Sequence, residues 1–501
     1  MSLATVYTRA SCGIDSPLVR VEVHLSNGLP ALSIVGMAKT AVKESKDRVR
    51  SAILNSYFEF PSRRITINLA PADLPKDGGC FDLPIALGIL AASGQIPTES
   101  LARFEFLGEL GLTGELRGVH GALPAAVSCA AARRSLVVPP ENVDEATLCG
   151  EAVIFAPSTL LQLSAHLHQR QELALQSSST GDLDCSHYPD LDDVRGQQQA
   201  KRALEIAASG CHNLIFCGPP GTGKTMLASR LAGILPALTE QESLEVATIY
   251  SISNHSGFRH FQQRPFRNPH HTASAVALVG GGSNPKPGEV SLAHHGVLFL
   301  DELPEFKRSV LEVLREPLES GEIVISRANQ QVTFPAKFQL IAAMNPCACG
   351  YFGDLKRRCR CTPDQLRRYR DRVSGPLLDR IDIQINVNRL PAAMINHNHT
   401  AEETSSEVRQ RVASCRQLQQ RRTGKTNGQM TNKETEKHCI LTVTDQQLLN
   451  QAVDKLQLSA RAYHRILRVA RTIADMDHAK DINQQHVTEA IAYRALDKEN
   501  I

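Results

Sequence analysis

Residues 218–225 read Gly218, Pro219, Pro220, Gly221, Thr222, Gly223, Lys224 and Thr225, the G-x-x-x-x-G-K-[ST] spacing of a phosphate-binding loop. The residue types explain the chemistry. Glycines let backbone N–H groups wrap phosphates, and a helix starting at the end of the loop turns its partial positive charge toward them. Lys224 then reaches the β- and γ-phosphates and Thr225 offers a hydroxyl to Mg²⁺, so ATP and Mg²⁺ are the expected cofactors. A second set of residues makes hydrolysis, rather than binding alone, the expectation. The apolar run 297–300 ends in Asp301 and Glu302, which sets two carboxylates at the end of a buried strand. Asp301 is assigned to the Mg²⁺ shell and Glu302 to the general base that activates the attacking water; helix capping by the pair is the alternative. A further apolar run, 338–344, ends at Asn345, an amide suited to orienting water near the γ-phosphate.

Cys347, Cys349, Cys359 and Cys361 form C-x-C-x9-C-x-C, and four thiolates suit a structural, tetrahedral Zn²⁺. The spacing is tighter than the usual C-x2-C, and four reduced cysteines without metal are the alternative. No open ligand position or acid/base partner accompanies them, so the metal would staple a loop and not catalyse. The same stretch is strongly basic. Lys356, Arg357, Arg358, Arg360, Arg367, Arg368, Arg370 and Arg372 face only Asp364 and Asp371, with Tyr351, Phe352 and Tyr369 interleaved. Such a cluster suits a nucleic-acid backbone with aromatics for base stacking, or equally a subunit interface.

These residues need elements to hold them. Residues 1–172 mix strand-like runs (19–25, 64–69) with apolar helical runs (83–93, 122–133), an α/β pattern, and the polar stretch 173–189 reads as a linker. Over 190–395 strands alternate with helices, which implies a parallel sheet covered on both faces. An insertion is expected at about 265–292 and a hairpin at about 322–335, whose tip offers Arg327 and Asn329 as further DNA-contact candidates beside Lys356, Arg357, Arg358 and Arg360. From 396 to 501 the pattern is helical, so the fold class is a multidomain α/β protein with an all-α C-terminal lid. With 55 basic and 52 acidic residues the net charge of +3 is silent about partners. Thirteen cysteines, no leader-like N-terminus and no apolar run of ~20 residues lead to an expectation of a soluble, cytoplasmic protein with no membrane partner.

The order of parts resembles the AAA+ ATPases: phosphate loop, strand ending in Asp-Glu, then a strand ending in a polar "sensor 1" residue. The resemblance implies roles for two arginines. Arg380, in SGPLLDRIDI, looks like the arginine finger that completes a neighbouring subunit's site, and Arg461, in LSARAYHRILRVARTIADM, looks like sensor 2. Both insertions resemble those of the branch that holds the magnesium-chelatase ATPase subunit and the minichromosome-maintenance helicases. The whole chain from about residue 4 to 497 resembles the ComM/YifB family of magnesium-chelatase-like proteins, through SIVGMAKTAVKESKDRVRSAI, INLAPADLPKDGGCFDLPIALGIL, FRNPHHTAS and NPCACGYFGD. That resemblance implies a homohexameric, ATP-driven DNA motor, a helicase or branch-migration translocase of homologous recombination. Its implied partners are single-stranded or branched DNA and other recombination proteins, and its implied setting is integration of incoming single strands in natural transformation. The alternative is the ATPase subunit of a metal-chelatase-type remodelling complex. Residues 1–172 also resemble the proteolytic domain of the Lon family, with Cys80 in the serine's place and Leu123 where its lysine is expected, which implies the fold without the peptidase.

Overall fold

The computed structural model describes residues 2–37, 40–177, 188–253, 261–282, 285–327, 330–354, 356–389, 402–494 and 496. The chain divides into two compact units. The first comprises Met1–Asp184, Glu240–Phe261 and Ser326–Thr333; the second comprises Cys185–Thr239, Gln262–Ile325 and Phe334–Ile501.

The first unit is built on an eight-stranded sheet, β8-β7-β6-β5-β1-β2-β4-β3, from β1 (Ser2–Arg9), β2 (Leu18–Ser26), β3 (Ala31–Val35), β4 (Arg64–Ala70), β5 (Phe104–Phe106), β6 (Ser135–Val137), β7 (Ile154–Phe155) and β8 (Leu175–Gln176). β2 shows why: Val19, Val21, Val23 and Leu25 alternate with Arg20, Glu22 and His24, so every second side chain is buried. Helix α2 (Asp82–Ala92) packs on β1 and β2, and helix α1 (Thr40–Asn55) packs against α2. All of α2 is buried, including Leu83, Ile85, Leu87, Ile89 and Leu90, each contributing about 1.5–3 kcal/mol. Gly88 permits the close approach, since a Cβ there would lie 2.5 Å from Val23 Cγ2. Helix α3 (Ala122–Ala131) begins just after Gly121. The linker expected over 173–189 is corrected at its start: Leu175 and Gln176 pair with Phe155 and Ile154 and extend the sheet. Residues 178–187 lie outside the described residues.

The second unit holds a parallel five-stranded sheet, β10-β11-β14-β9-β15. Its strands are β9 (Leu214–Cys217), β10 (Phe266–Arg267), β11 (Val297–Leu300), β14 (Gln339–Met344) and β15 (Ile383–Asn386); β12 (Glu322–Arg327) and β13 (Gln330–Pro335) form a separate two-stranded ribbon whose residues 326–333 count with the first unit. β9, β11 and β14 are buried at every position, as strands covered on both faces must be. Phe266 and Arg267, expected within an insertion, are the sheet's edge strand because they pair with Val297 and Leu298. Helix α4 (Gln198–Gly210) and helix α5 (Lys224–Ile234) lie in this unit, whereas helix α6 (Glu240–Ile252) belongs to the first, burying Ala247 with Leu123 and Ala126.

The C-terminal helices α8 (Ser405–Thr423), α9 (Asn432–His438), α10 (Val443–Lys455), α11 (Ala460–Met476) and α12 (Gln484–Ala492) follow α7 (Pro363–Arg370) in sequence. They do not form a unit of their own. Val408, Val412, Ile466, Val469 and Ile473 share one core with Phe216, Phe299 and Ile341 of the sheet, so lid and ATPase sheet are one packed body. The hairpin candidate Asn329 lies outside the described residues, and Arg327 is placed only as the last residue of β12.

Candidate nucleotide-hydrolysis site

The loop between β9 and α5 carries the phosphate-binding spacing, and local backbone demands explain its glycines. Gly223, which precedes Lys224 at the start of α5, has φ 86°, a left-handed conformation that favours glycine, and a Cβ at Gly218 would lie 2.2 Å from the Val387 carbonyl oxygen. Lys224 Nζ is buried and donates to the carbonyls of Gly218 at 2.7 Å and Pro219 at 3.0 Å and to Asn345 Oδ1 at 3.1 Å. Burial lowers its pKa. Its hydrogen-bonding partners are neutral oxygens, and Asp301 and Glu302 act on its charge without bonding to it, an arrangement that fits a polyphosphate.

The strand ends converge on the same point. Thr225 Oγ1 donates to Asp301 Oδ2 at 2.7 Å, and the other Asp301 oxygen accepts the Glu302 N–H at 2.9 Å. The hydroxyl and carboxylate assigned to Mg²⁺ are thus already side by side, a donor set that fits a hard cation. Glu302 has φ 50°, left-handed for a non-glycine residue, and its side chain is about half exposed. His271 Nδ1 lies 3.6 Å from Glu302 Oε2, and its ring meets Phe306 edge-on. Lys224, Thr225, Asp301, Glu302 and Asn345 line one cavity of about 390 Å³. A second cavity of about 220 Å³ adjoins the same loop, lined by Val194, Arg195, Gln197, Met226 and Leu227 together with Thr222. Its size and apolar walls suit a nucleobase. No spacing rule marks Val194 or Met226, and sequence reasoning missed them, as it missed a role for His271 within FRNPHHTAS.

The two arginines are elsewhere. Arg380 is 4% exposed; its guanidinium donates to the Pro376 carbonyl at 2.5 Å and pairs with Glu319. Arg461 is 60% exposed and lies 3.9 Å from the same Glu319 carboxylate. Neither lines the phosphate cavity of its own chain, so the structure brings these arginines to one another and not to Lys224. Arg465, which the sequence reading passed over, donates to the Arg380 carbonyl at 3.0 Å and pairs with Asp382. Burial pushes the Asp382 carboxyl up, but Arg465 and His212 outweigh it and hold the group well below the usual carboxylate range.

Directly after Asn345 the chain turns into the cysteine module. Cys347, Cys349, Cys359 and Cys361 offer sulfurs that all lie within 4.8 Å of one another, with Sγ···Sγ separations of 3.3, 3.5 and 3.7 Å among the first three. Zn–S bonds of about 2.3 Å in a tetrahedron set the sulfurs about 3.8 Å apart, so the cluster fits the ion. Backbone N–H groups of Phe352 and Cys361 donate to Cys347 and Cys359 sulfurs. Burial works against thiolate formation at Cys349, yet N–H groups of Arg360 and Tyr351 bring it down to about 6. Lys356, Arg357, Arg358 and Arg360 are exposed, and Arg357 and Arg370 stack over Tyr351 and Phe352 at 5.2 and 5.4 Å. The expectation that Tyr369 is free to stack is corrected: it is the buried residue of α7, and burial pushes its phenol pKa up. Arg372 is likewise tied to Glu305 at 3.0 Å.

Competence protein ComM of Haemophilus influenzae is 52% identical over 501 residues, which covers 99% of this chain and 98% of that protein. The chain belongs to the ComM/YifB family of magnesium-chelatase-like proteins. YifB of Salmonella typhimurium is 50% identical over 99% of this chain and 98% of its own length. The family described as "Magnesium chelatase, subunit ChlI" matches residues 190–395, "Subunit ChlI of Mg-chelatase" matches 21–142, and "Magnesium chelatase, subunit ChlI C-terminal" matches 402–494. The magnesium-chelatase 38 kDa subunit of Cereibacter sphaeroides is 26% identical over 30% of this chain and 51% of that protein. Residues 190–395 are accordingly an AAA+ ATPase module of the magnesium-chelatase type in a multidomain α/β chain.

In the first unit of this ComM/YifB chain, Cys80 and Leu123 stand where the Lon-like reading expects a serine and a lysine. The Cys80 thiol is pushed up to about 12 by burial, with Asp82 adding to the shift. Leu123 is fully buried among apolar neighbours. Asp82 instead accepts from Arg48 at 2.7 Å, a pair that ties α1 to α2.

Proposed function

We propose that this chain is an ATP-driven DNA motor that assembles as a homohexameric ring and moves branched or single-stranded DNA during homologous recombination, including uptake-linked recombination in natural transformation. The observation that carries the reading is the joining of two sites by one short segment: Asn345 of the hydrolysis site is two residues from Cys347 of a loop whose Lys356, Arg357, Arg358 and Arg360 face solvent. A residue orienting water at the γ-phosphate is thus covalently next to a basic, aromatic-bearing surface of the kind that tracks a phosphate backbone. The name of the Haemophilus relative, a competence protein, supports the same reading.

In hydrolysis Lys224 holds the β- and γ-phosphates, Thr225 and Asp301 would hold Mg²⁺, and the cavity lined by Val194, Met226 and Leu227 takes the base. When bound, the ion neutralises charge on the phosphate oxygens. Glu302 accepts the proton of the attacking water, with His271 limiting where its carboxylate points, and Asn345 fixes the water's approach. Arg380 and Arg461 act on the nucleotide of a neighbouring subunit, since both lie outside the cavity of their own chain. Cys347, Cys349, Cys359 and Cys361 would hold Zn²⁺ as a staple for the basic loop. Residues 1–172 act as a peptidase-like scaffold without proteolysis, 190–395 as the motor and 396–501 as its lid.

The rival, a chelatase-type remodelling ATPase, is favoured by the family descriptions alone. ATPase rate with and without forked or single-stranded DNA separates them: stimulation supports the motor, and a rate indifferent to DNA sinks it.

A further inference from the structure

We propose that Glu319 is a built-in stand-in for the terminal phosphate of a neighbouring subunit's nucleotide, holding Arg380 and Arg461 in readiness until that phosphate displaces it. The inference rests on the reading that these arginines act on a neighbour's nucleotide, and it adds a positioning residue that no motif marks.

The charges around Glu319 do not balance. Arg380 pairs with Glu319 Oε1, Arg461 lies 3.9 Å from the same oxygen, and Arg315 adds positive field at Arg380. Arg315 has its own partner in Glu312 at 2.7 Å, which leaves Arg380 and Arg461 sharing a single carboxylate. Two guanidiniums that share one carboxylate suit an anion of higher charge and more acceptor oxygens, such as a γ-phosphate. Arg380 also has an unmet valence: its Nε is buried with no hydrogen-bond partner, although the residue is only 4% exposed. A donor left without a partner in such a place costs on folding unless a ligand supplies the acceptor.

The backbone at Arg380 is tied at its carbonyl. Its carbonyl accepts from Asn213 Nδ2 and Arg465 Nη1, both at 3.0 Å. Only the side chain is free to change partner. Glu319 is 53% exposed, so an arriving anion can reach the pair from solvent and the released carboxylate can be rehydrated there. Because the carboxylate competes with the phosphate, removing its charge should favour the phosphate.

The test measures steady-state ATPase of the full chain against protein concentration for wild type, Glu319→Gln, Arg380→Ala and the double variant, with thermal melting alongside. Glu319→Gln is expected to lower the protein concentration for half-maximal specific activity by at least about threefold, the scale of a partly exposed ion pair. In the Arg380→Ala background, where turnover is expected to be lost, it is expected to restore none, and restored turnover in the double variant would overturn the proposal. Glu319→Asp, which keeps the charge at shorter reach, is expected to fall between wild type and the glutamine variant and keeps the test open if the glutamine variant melts early. An unchanged or raised half-activation concentration in Glu319→Gln, with Arg380→Ala still inactive, overturns the role of Glu319 alone. Full activity in Arg380→Ala overturns the arginine reading beneath it.

Discussion

Glu302→Gln isolates the general base with little structural cost. The amide matches the carboxylate in size, tolerates the same left-handed backbone at φ 50°, and leaves the backbone hydrogen bond to Asp301 untouched because that bond uses the N–H. The side chain is about half exposed, so folding stability should move by less than about 0.5 kcal/mol. Nucleotide binding should also survive, since Lys224, Thr225 and Asp301 keep their partners. What is lost is proton acceptance from water, a contribution of about 10²–10⁴ in rate, or roughly 2.7–5.4 kcal/mol in the barrier. Phosphate release under saturating ATP measures the rate, and fluorescent-nucleotide titration checks that binding stays within about threefold. Hydrolysis within tenfold of wild type would refute the assignment of Glu302 and return the activated water to another group.

Other consequences follow from the same geometry. Asp382→Asn breaks a buried pair with Arg465 and His212 and should cost about 3–5 kcal/mol by denaturant unfolding. Because the folded-state pKa of Asp382 is depressed, its contribution is present above the unfolded carboxylate pKa of about 3.9 and fades as pH falls below it; the acid limb of a stability–pH profile should be shallower in the variant. Purified protein should carry about one zinc per chain by colorimetric release, and Cys359→Ser should lose it while leaving DNA-independent ATPase near wild type. Replacing Lys356, Arg357, Arg358 and Arg360 together by alanine should make the log-affinity versus log-salt slope for single-stranded DNA shallower by about 3, if each meets one phosphate.

The gathering of the candidate site residues in one cavity was legible because they lie at the ends of short, wholly apolar strands. The runs before Gly218, Asp301 and Asn345 are buried at every position, and a parallel sheet can put their ends in one place only. What was not legible depended on packing between distant segments. The lid reads as a separate helical pattern, yet Ile466 and Ile473 pack in one core with Phe216. Tyr369 reads as one aromatic among arginines, but a single turn of α7 decides that it faces inward. Arg380 reads as a finger, and only coordinates reveal that Glu319, sixty-one residues earlier, holds it. The base-sized cavity escaped notice because Val194 and Leu227 are ordinary core residue types brought together by α5.

In the proposed function, ATP turnover at this site is harnessed to DNA. The most direct measurement is strand displacement on a forked or branched substrate, run beside ATPase, with wild type and Glu302→Gln. ATP-dependent displacement by wild type, DNA-stimulated hydrolysis and loss of both in Glu302→Gln are predicted. Robust hydrolysis that ignores DNA and displaces no strand would contradict the account.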